Sequence, residues 1–262
     1  MRAIMLGIRM KLSFVLLLIS IFQSAQAQQL PSVETLLPKL YEFGQNYRAT
    51  LPSLTCDESI VSQTVKNGKV QKEMKVESTL TEARDRPEPN PFTERHAFRT
   101  INGKPAKAPP KFPYLVQGGF ANGLGFTGPD TQGCFDYHVD SQDAGKTLRL
   151  ELDLKPGTGI PACKSIPEGA QKIVLVDAAT YRITHVERTV SALASKEHNE
   201  VFFMALDYGP QKLGDKTFWL PAKMYGHDPE GQGRITITYS NFHRFAGELK
   251  VLPGDDPASQ NP

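Results

Sequence analysis

Hydrophobic and polar residues alternate along most of the chain from Cys56 onwards, with the period of two that is typical of β-strands. In the segment 148–154, four leucines alternate with Arg149, Glu151 and Asp153, so the leucines share one face and the charges share the other. The same pattern, or a short apolar run, predicts further strands at 173–176, 181–188, 201–208, 218–225, 234–239 and 245–252.

Two Asn-Gly pairs mark tight turns in the first part of this pattern. Asn67-Gly68 separates the strand-like runs 60–65 and 70–80, and such a pair accommodates the two positive φ angles of a hairpin turn. Asn102-Gly103 follows the run 98–101 in the same way. The sequence therefore predicts a β-hairpin at each Asn-Gly pair.

The segment 32–49 departs from this period, because its apolar residues recur every three or four positions, as on one face of a helix. Ser32 is a suitable N-cap residue. Pro38 interrupts the pattern, since a proline inside a helix removes a hydrogen bond and crowds the preceding turn. We therefore predict either a kink or a helix that begins near Pro38, with its end before Leu51-Pro52.

About ten antiparallel strands behind one helix predict an α+β fold that is mainly antiparallel β, since parallel units would need more helices. The economical arrangement is a large curved sheet or a partly closed barrel, within a single domain over residues 28–252. Residues 105–133 interrupt the strands and are rich in proline and glycine. We predict a long covering loop there, with one helical turn at most.

The first 27 residues have the features of a secretory signal peptide: a basic start, an apolar run over 12–22, and Ala25-Gln26-Ala27 as the cleavage pattern. Cleavage after Ala27 leaves 235 of the 262 residues, with 27 basic and 28 acidic side chains, so the net charge changes from +2 to −1. Such a chain offers no electrostatic attraction to nucleic acid, and we expect no integral membrane segment after cleavage. The segment 253–262 is predicted to be a disordered tail.

All three cysteines follow this leader, and we predict a periplasmic or secreted protein whose compartment favours disulfides. Their spacing contains no CxxC and no zinc-like pattern, so no metal site is predicted. Cys134 with Cys163 is the preferred pair, because each borders a strand-like segment and the bond closes a loop of about 30 residues. Cys56 is then the odd thiol, although it could exchange with either partner.

Several segments resemble a known group of proteins. The run 176–183 is similar to the D-x-x-T-x-R-[IV] hairpin of outer-membrane lipoprotein carrier-like (LolA/LolB-like) domains. The segments 208–210, 218–222 and 239–245 resemble the C-terminal hairpins of secreted bacterial proteins of unknown function, and 51–57 resembles their junction between helix and first strand. The resemblance implies a half-barrel around an apolar groove, and it supplies no residue of known catalytic role.

Candidate catalytic residues are sparse. The six histidines lie in six different segments, and the sequence contains no HExxH, GxSxG or paired-carboxylate motif. His227-Asp228 could bind a metal in principle, but a solvated loop is the simpler interpretation. We therefore predict no enzyme, no cofactor and no metal; a hydrolase with a dispersed triad is the alternative, because triad members need not be neighbours in sequence.

Phe120, Leu124 and Phe126 are apolar side chains within the 105–133 loop. As a lid they would cover an apolar groove, whereas the alternative is that they plug one end of the core. Trp219 is expected to pack into the sheet or to brace a strand end rather than to contact a ligand.

The leading hypothesis is an exported, non-catalytic protein of the bacterial envelope that binds an acyl chain or a lipidated polypeptide in the concave face of the half-barrel. A structural or protein-interaction module of the same fold, with a filled core and no ligand, is the alternative.

Overall fold

The computed structural model describes residues 30–87, 91–110, 120, 124, 128–166, 171–191, 201–228 and 230–245. The predicted leader 1–27, Phe126, the predicted strand 245–252 beyond Phe245, and the predicted tail 253–262 lie outside the described residues. The described residues from Ser32 onwards form one compact unit that contains every element named below.

Helix α1 spans Val33–Thr50 and precedes a long series of strands. The first four are β1 (Leu54–Lys66), β2 (Lys69–Arg84), β3 (Phe92–Ile101) and β4 (Lys104–Pro105). After the one-turn helix α2 (Pro129–Gln132) come β5 (Phe135–Gln142), β6 (Thr147–Leu154), β7 (Gln171–Asp177), β8 (Ile183–Ser191), β9 (Val201–Leu213), β10 (Lys216–His227) and β11 (Gly233–Arg244).

The eleven strands of the described chain form one sheet in the order β4-β3-β2-β1-β11-β10-β9-β8-β7-β6-β5. Neighbouring strands are antiparallel, and the pairing of β1 with β11 joins the two halves of the chain. The sheet is open, with β4 and β5 at its edges. The predicted fold, mainly antiparallel β with a large sheet and an N-terminal helix, is confirmed.

Both Asn-Gly turns are present where the sequence predicts them. Asn67 and Gly68 have φ angles of 52° and 71°, and Asn102 and Gly103 have φ angles of 50° and 75°. Asn102 also accepts a hydrogen bond at Oδ1 from the Lys75 backbone N–H, which fixes the second turn against β2.

The leucine alternation in β6 is also confirmed, because Leu148, Leu150 and Leu152 are buried in the core. Strand β5 has the same period of two, but it was not predicted from the sequence as a separate strand. It pairs with β6 from Phe135 opposite Leu154 to Gln142 opposite Thr147.

Helix α1 starts at Val33, so of the two predicted alternatives the start near Pro38 is wrong, whereas the helix end before Leu51 is confirmed. Pro38 lies inside the helix. Only about one turn precedes the proline, so the missing hydrogen bond affects the helix near its free end, where backbone groups are least constrained. Leu36, Leu40 and Tyr47 bury one face of α1 in the same core as the inner side chains of the sheet.

The disulfide between Cys134 and Cys163 is confirmed. It ties the 3₁₀ turn Pro161–Ser165 to the residue that precedes β5. Helix α2 supplies the predicted helical turn near the end of the 105–133 segment. Cys56 is a free thiol, buried on β1. Among the described residues, no helix is both long enough and apolar enough to cross a membrane.

Replacement of both disulfide cysteines by serine should lower the free energy of unfolding by about 3 kcal/mol, because the unfolded chain then loses a constraint across about 30 residues. Urea unfolding checks this. Dithiothreitol should lower the stability of the wild type to the same level and leave the double variant unchanged. Equal urea midpoints for the wild type and the double variant would contradict the stabilising role.

Candidate functional site

A two-stranded extension of the sheet forms one wall of a cleft. Strand β8 pairs with β9 only as far as Asp207, and β11 pairs with β10 only from Lys223 onwards. In the remaining part of the hairpin, β9 and β10 pair only with each other, from Tyr208 opposite Pro221 to Leu213 opposite Lys216. Pro210 and Pro221 fit there because a proline is tolerated where a strand lacks a neighbour or bulges.

The second half of helix α1 forms the opposite wall. The cleft between them has a volume of about 370 Å³. Its wall is largely aromatic and aliphatic, with the guanidinium of Arg182 as its one charged group among the lining residues. The side chains that define it best are Phe43, Tyr47, Leu51, Phe218, Trp219 and Leu220. Clefts of roughly 300–1,000 Å³ with such walls are typical of small-molecule sites.

Trp219 is held in place within this wall. Its indole Nε1 donates a hydrogen bond to the Ile183 carbonyl oxygen at 2.7 Å. The guanidinium carbon of Arg182 lies 5.3 Å from the centre of the indole ring. Trp219 therefore braces the strand end, as the sequence predicts, and its ring also lines the cleft, which the sequence analysis did not expect.

Tyr47 connects the cleft with the interior of the sheet. Its ring packs edge-on against Tyr208 with centroids 6.2 Å apart, and its hydroxyl donates to the Phe120 carbonyl oxygen at 2.9 Å. Burial, with smaller contributions from Tyr208, Glu82 and Tyr239, raises the pKa of Tyr47 well above its ordinary value. The hydroxyl is therefore a neutral donor at any physiological pH.

Two of the three predicted lid residues are described, and both are buried. Phe120 is 2% exposed and Leu124 is 3% exposed. The ring of Phe120 packs against Tyr239 and Phe242, with centroid distances of 5.5 and 6.3 Å. Phe120 therefore contacts the inner face of β11, and a role as a cover that opens stays a prediction.

A larger depression of about 610 Å³ lies over the disulfide loop. All of its lining residues come from the continuous segment Leu154–Ile166, and three of them are glycine or proline. Such a wall is less fixed in shape than one built from a helix and a strand pair, so the cleft is the better candidate site.

A buried polar cluster occupies the inner face of β1, β2 and β3. It consists of Glu58, Ser78, Glu82, Glu94 and His96. Glu82 lies directly opposite Glu94 in the β2–β3 ladder, and Glu58 lies opposite Ser78 in the β1–β2 ladder. The side chain of Ser78 is small, which leaves space above it for the imidazole of His96 to reach Glu58 from two strands away.

The His96 imidazole bridges two carboxylates. Nδ1 lies 2.8 Å from Glu58 Oε2, and Nε2 lies 3.1 Å from Glu94 Oε1. Burial lowers the pKa of His96, but the hydrogen bonds to Glu58 and Glu94 and the charges of both carboxylates outweigh it and raise the pKa to about 10. The ring is therefore an imidazolium that donates from both nitrogens at neutral pH.

Glu82 differs from Glu58 and Glu94 because no cation among the described residues bonds to it. Burial, reinforced by the charge of Glu94 and opposed by that of His96, raises the pKa of Glu82 to about 8. Glu82 is therefore mostly protonated at neutral pH. One oxygen each of Glu58, Glu82 and Glu94, and the hydroxyl of Ser78, are buried without a hydrogen-bond partner in the described part of the chain.

This cluster was missed by the sequence analysis, although the signal for it was present. In β1, Glu58 occurs between Cys56 and Ile60 at the period of two, so it has to share their buried face. Glu82 follows Leu80 in β2 in the same way. The sequence predictions above name neither acid, and they treat His96 without the strand that pairs with it.

The cluster lacks the arrangement of a nucleophilic triad. Both nitrogens of His96 are already bonded to carboxylates, so the ring has no free position to accept a proton from Ser78. Burial, followed by the charges of Glu58 and Asp57, raises the pKa of the Cys56 thiol well above its ordinary value, which removes its nucleophilic thiolate form. Within the described residues, no three His, Cys, Asp or Glu side chains are arranged to hold a metal ion.

The sequence matches no protein-family model and no curated protein. Solved structures with a similar fold include a LolA superfamily protein from Nitrosomonas europaea, 11% identical, where the match covers 84% of this chain and 96% of that one with a TM-score of 0.39. A DUF1329 family protein from Desulfovibrio piger is 13% identical, with 82% and 94% covered and a TM-score of 0.39. A protein domain from Vibrio parahaemolyticus that is named for outer-membrane lipoprotein sorting is 12% identical, with 82% and 95% covered and a TM-score of 0.38.

Two of these structures are named for the LolA-like or lipoprotein-sorting group that the sequence resembles. At such identities and TM-scores, the likeness carries no information on the ligand or the activity of this chain. The geometry of the cleft and of the cluster has to supply both.

The stability of the protein should fall as the pH rises from about 5 to about 10. Both Glu82 and His96 have folded-state pKa values above the ordinary values of 4.5 and 6.5. The folded state therefore binds more protons than the unfolded chain across this window, and stabilisation that is complete at low pH is lost as each group deprotonates. Urea unfolding at half-unit pH steps measures the slope.

Glu82→Gln should remove the part of this slope between about pH 4.5 and 8, a difference on the order of a few kcal/mol. Glu77→Gln is the matched control, because Glu77 lies on the exposed face of the same strand. An unchanged slope in Glu82→Gln would show that Glu82 is not the titrating group.

Proposed function

We propose that this protein is an exported, non-catalytic binding protein of the bacterial envelope, periplasmic or secreted, whose ligand is an acyl chain, either free or attached to a polypeptide. The chain occupies the aromatic cleft between helix α1 and the extension of the β9–β10 hairpin. No enzymatic step and no cofactor are part of the proposal.

The cleft itself is the observation that carries the proposal. Its walls come from a helix and a strand pair that are both anchored in the core, so its shape exists before any ligand binds. Preformed apolar sites avoid the cost of ordering a loop around the ligand. Arg182 lies among the lining residues, where its guanidinium can pair with a carboxylate at the end of a fatty acid.

Phe120, Leu124 and Phe126 are proposed to regulate access to this site. Tyr47 lines the cleft, and its hydroxyl donates a hydrogen bond to the Phe120 carbonyl oxygen. A displacement of Phe120 would break this bond and release the Tyr47 side chain in the cleft wall. The proposed lid therefore acts through Tyr47 rather than by direct contact with the ligand.

A structural or protein-interaction module is the second candidate function. One observation favours it, namely that Phe120 and Leu124 belong to the same buried cluster as the inner side chains of the sheet. On this alternative the two side chains complete the core, and the protein acts through its outer surface without a ligand.

A fluorescent fatty acid such as dansyl-undecanoic acid should bind saturably and quench Trp219, because Trp219 lines the proposed site. Thr217→Phe, which fills the cleft from the rim, should weaken the affinity about tenfold or more, equivalent to about 1.4 kcal/mol. Fluorescence titration measures both effects.

Val70→Phe is the matched control, since it adds the same aromatic ring at a position that is 50% exposed on β2. It should leave the affinity unchanged. Absence of saturable binding to the wild type, or equal affinities for the two phenylalanine variants, would contradict the proposed site and favour the module without a ligand.

A further inference from the structure

We infer that the inner face of β1–β3 holds a second binding site, which takes an organic cation with several N–H donors, a primary ammonium or a guanidinium group. The site consists of Glu58, Ser78, Glu82, Glu94 and His96. This site is separate from the aromatic cleft, so the inference does not depend on acyl-chain binding.

The cluster has an excess of hydrogen-bond acceptors. Glu58 Oε1, Glu82 Oε2 and Glu94 Oε2 are buried and have no partner in the described part of the protein. Ser78 is fully buried as well, and its hydroxyl is also unpartnered. Buried polar atoms nearly always have partners, so four unpartnered oxygens on one face indicate that a donor group is needed there.

The cluster also has an excess of negative charge. Glu58 and Glu94 share one cation, because each bonds through one oxygen to His96. Glu82 adds a third carboxyl group, which is mostly protonated while no cation is bound. Since Glu82 lies directly opposite Glu94, a cation between the two groups would favour the ionised form of Glu82.

The donors fit an organic cation better than a metal ion. His96 has no free nitrogen with which to ligate, and no group of three ligating side chains in the described chain converges on one point. The unpartnered oxygens instead fall in two ladder pairs, Glu58 with Ser78 and Glu82 with Glu94. An ammonium has three N–H donors and a guanidinium has five, so either can donate to both members of one such pair.

The members of the cluster nearest to solvent lie towards the edge of the sheet. The side chains of Glu94 and His96 are 8% and 7% exposed, whereas those of Glu58 and Glu82 are almost completely buried. Glu94 and His96 both lie on β3, whose only outer neighbour in the described sheet is the two-residue strand β4. The cation would therefore enter from the β3 side and meet Glu94 first.

Titration of the full chain with n-butylammonium and n-butylguanidinium tests the inference, with NMR signals of the His96 ring as the readout. Tetramethylammonium has the charge without the donors, and n-butanol has the alkyl chain without the charge. At equal ionic strength, at least one of the two donor cations should bind about tenfold or more tightly than both comparison compounds, because hydrogen bonds to charged groups are worth that much. The stronger of the two identifies the ammonium or the guanidinium as the preferred group.

Glu82→Gln and Glu58→Gln should each weaken binding of the preferred cation about tenfold or more, and Glu77→Gln, on the exposed face of β2, should weaken it less than twofold. Affinity in the wild type should also rise with pH, because a bound cation favours the ionised form of Glu82. If Glu58→Gln does not fold, Ser78→Ala replaces it as the second variant.

Donor cations that bind no more tightly than tetramethylammonium, or a Glu82→Gln variant that binds as well as Glu77→Gln, would overturn the inference. Neither result bears on the aromatic cleft, because the butyl probes and the dansyl fatty acid report on different residues. Conversely, a failure of the fatty acid to bind would leave the cation site intact.

Discussion

The packing of helix α1 into the concave side of the sheet is the constraint on which the rest of the structure depends. A curved sheet with eleven strands exposes a large inner surface, and that surface has to be covered for the fold to be stable. Tyr47 lies at the centre of this contact, since it packs on Tyr208 of β9 and donates to the Phe120 carbonyl. The aromatic cleft lies where the second half of α1 faces the β9–β10 extension. The buried acids lie on β1, β2 and β3, which β11 separates from that extension in the strand order.

The two candidate sites differ in the physical origin of their specificity. The cleft exists because two proline-containing strand segments extend beyond their neighbours, so the helix packs against a ribbon rather than a full sheet. Apolar area and shape determine what fits there. The acidic cluster depends instead on electrostatics in a medium of low dielectric constant, where an unpaired oxygen is costly and the identity of the partner matters greatly. One fold thus presents two candidate sites of different physical character.

Most strands could be predicted from the alternation of hydrophobic and polar residues. The features that could not be predicted in this way have identifiable physical causes. The hairpins at Asn67 and Asn102 and the leucine face of β6 are encoded locally, by turn residues and by alternation within one strand. The alternative of a start near Pro38 is wrong because the burial of Leu36 and Leu40 stabilises the first turns of α1 despite the proline. The acidic cluster depends on the register among three strands and a small residue at Ser78, and neither is visible in a single strand.

The odd number of cysteines has a consequence for the oxidative maturation of the protein. Cys56 is a third thiol that could attack the bond between Cys134 and Cys163 and scramble it. Its side chain lies on β1, which is paired on both sides, by β2 and by β11, and burial keeps the thiol protonated. Exchange between this thiol and the disulfide therefore requires β1 to leave the sheet first.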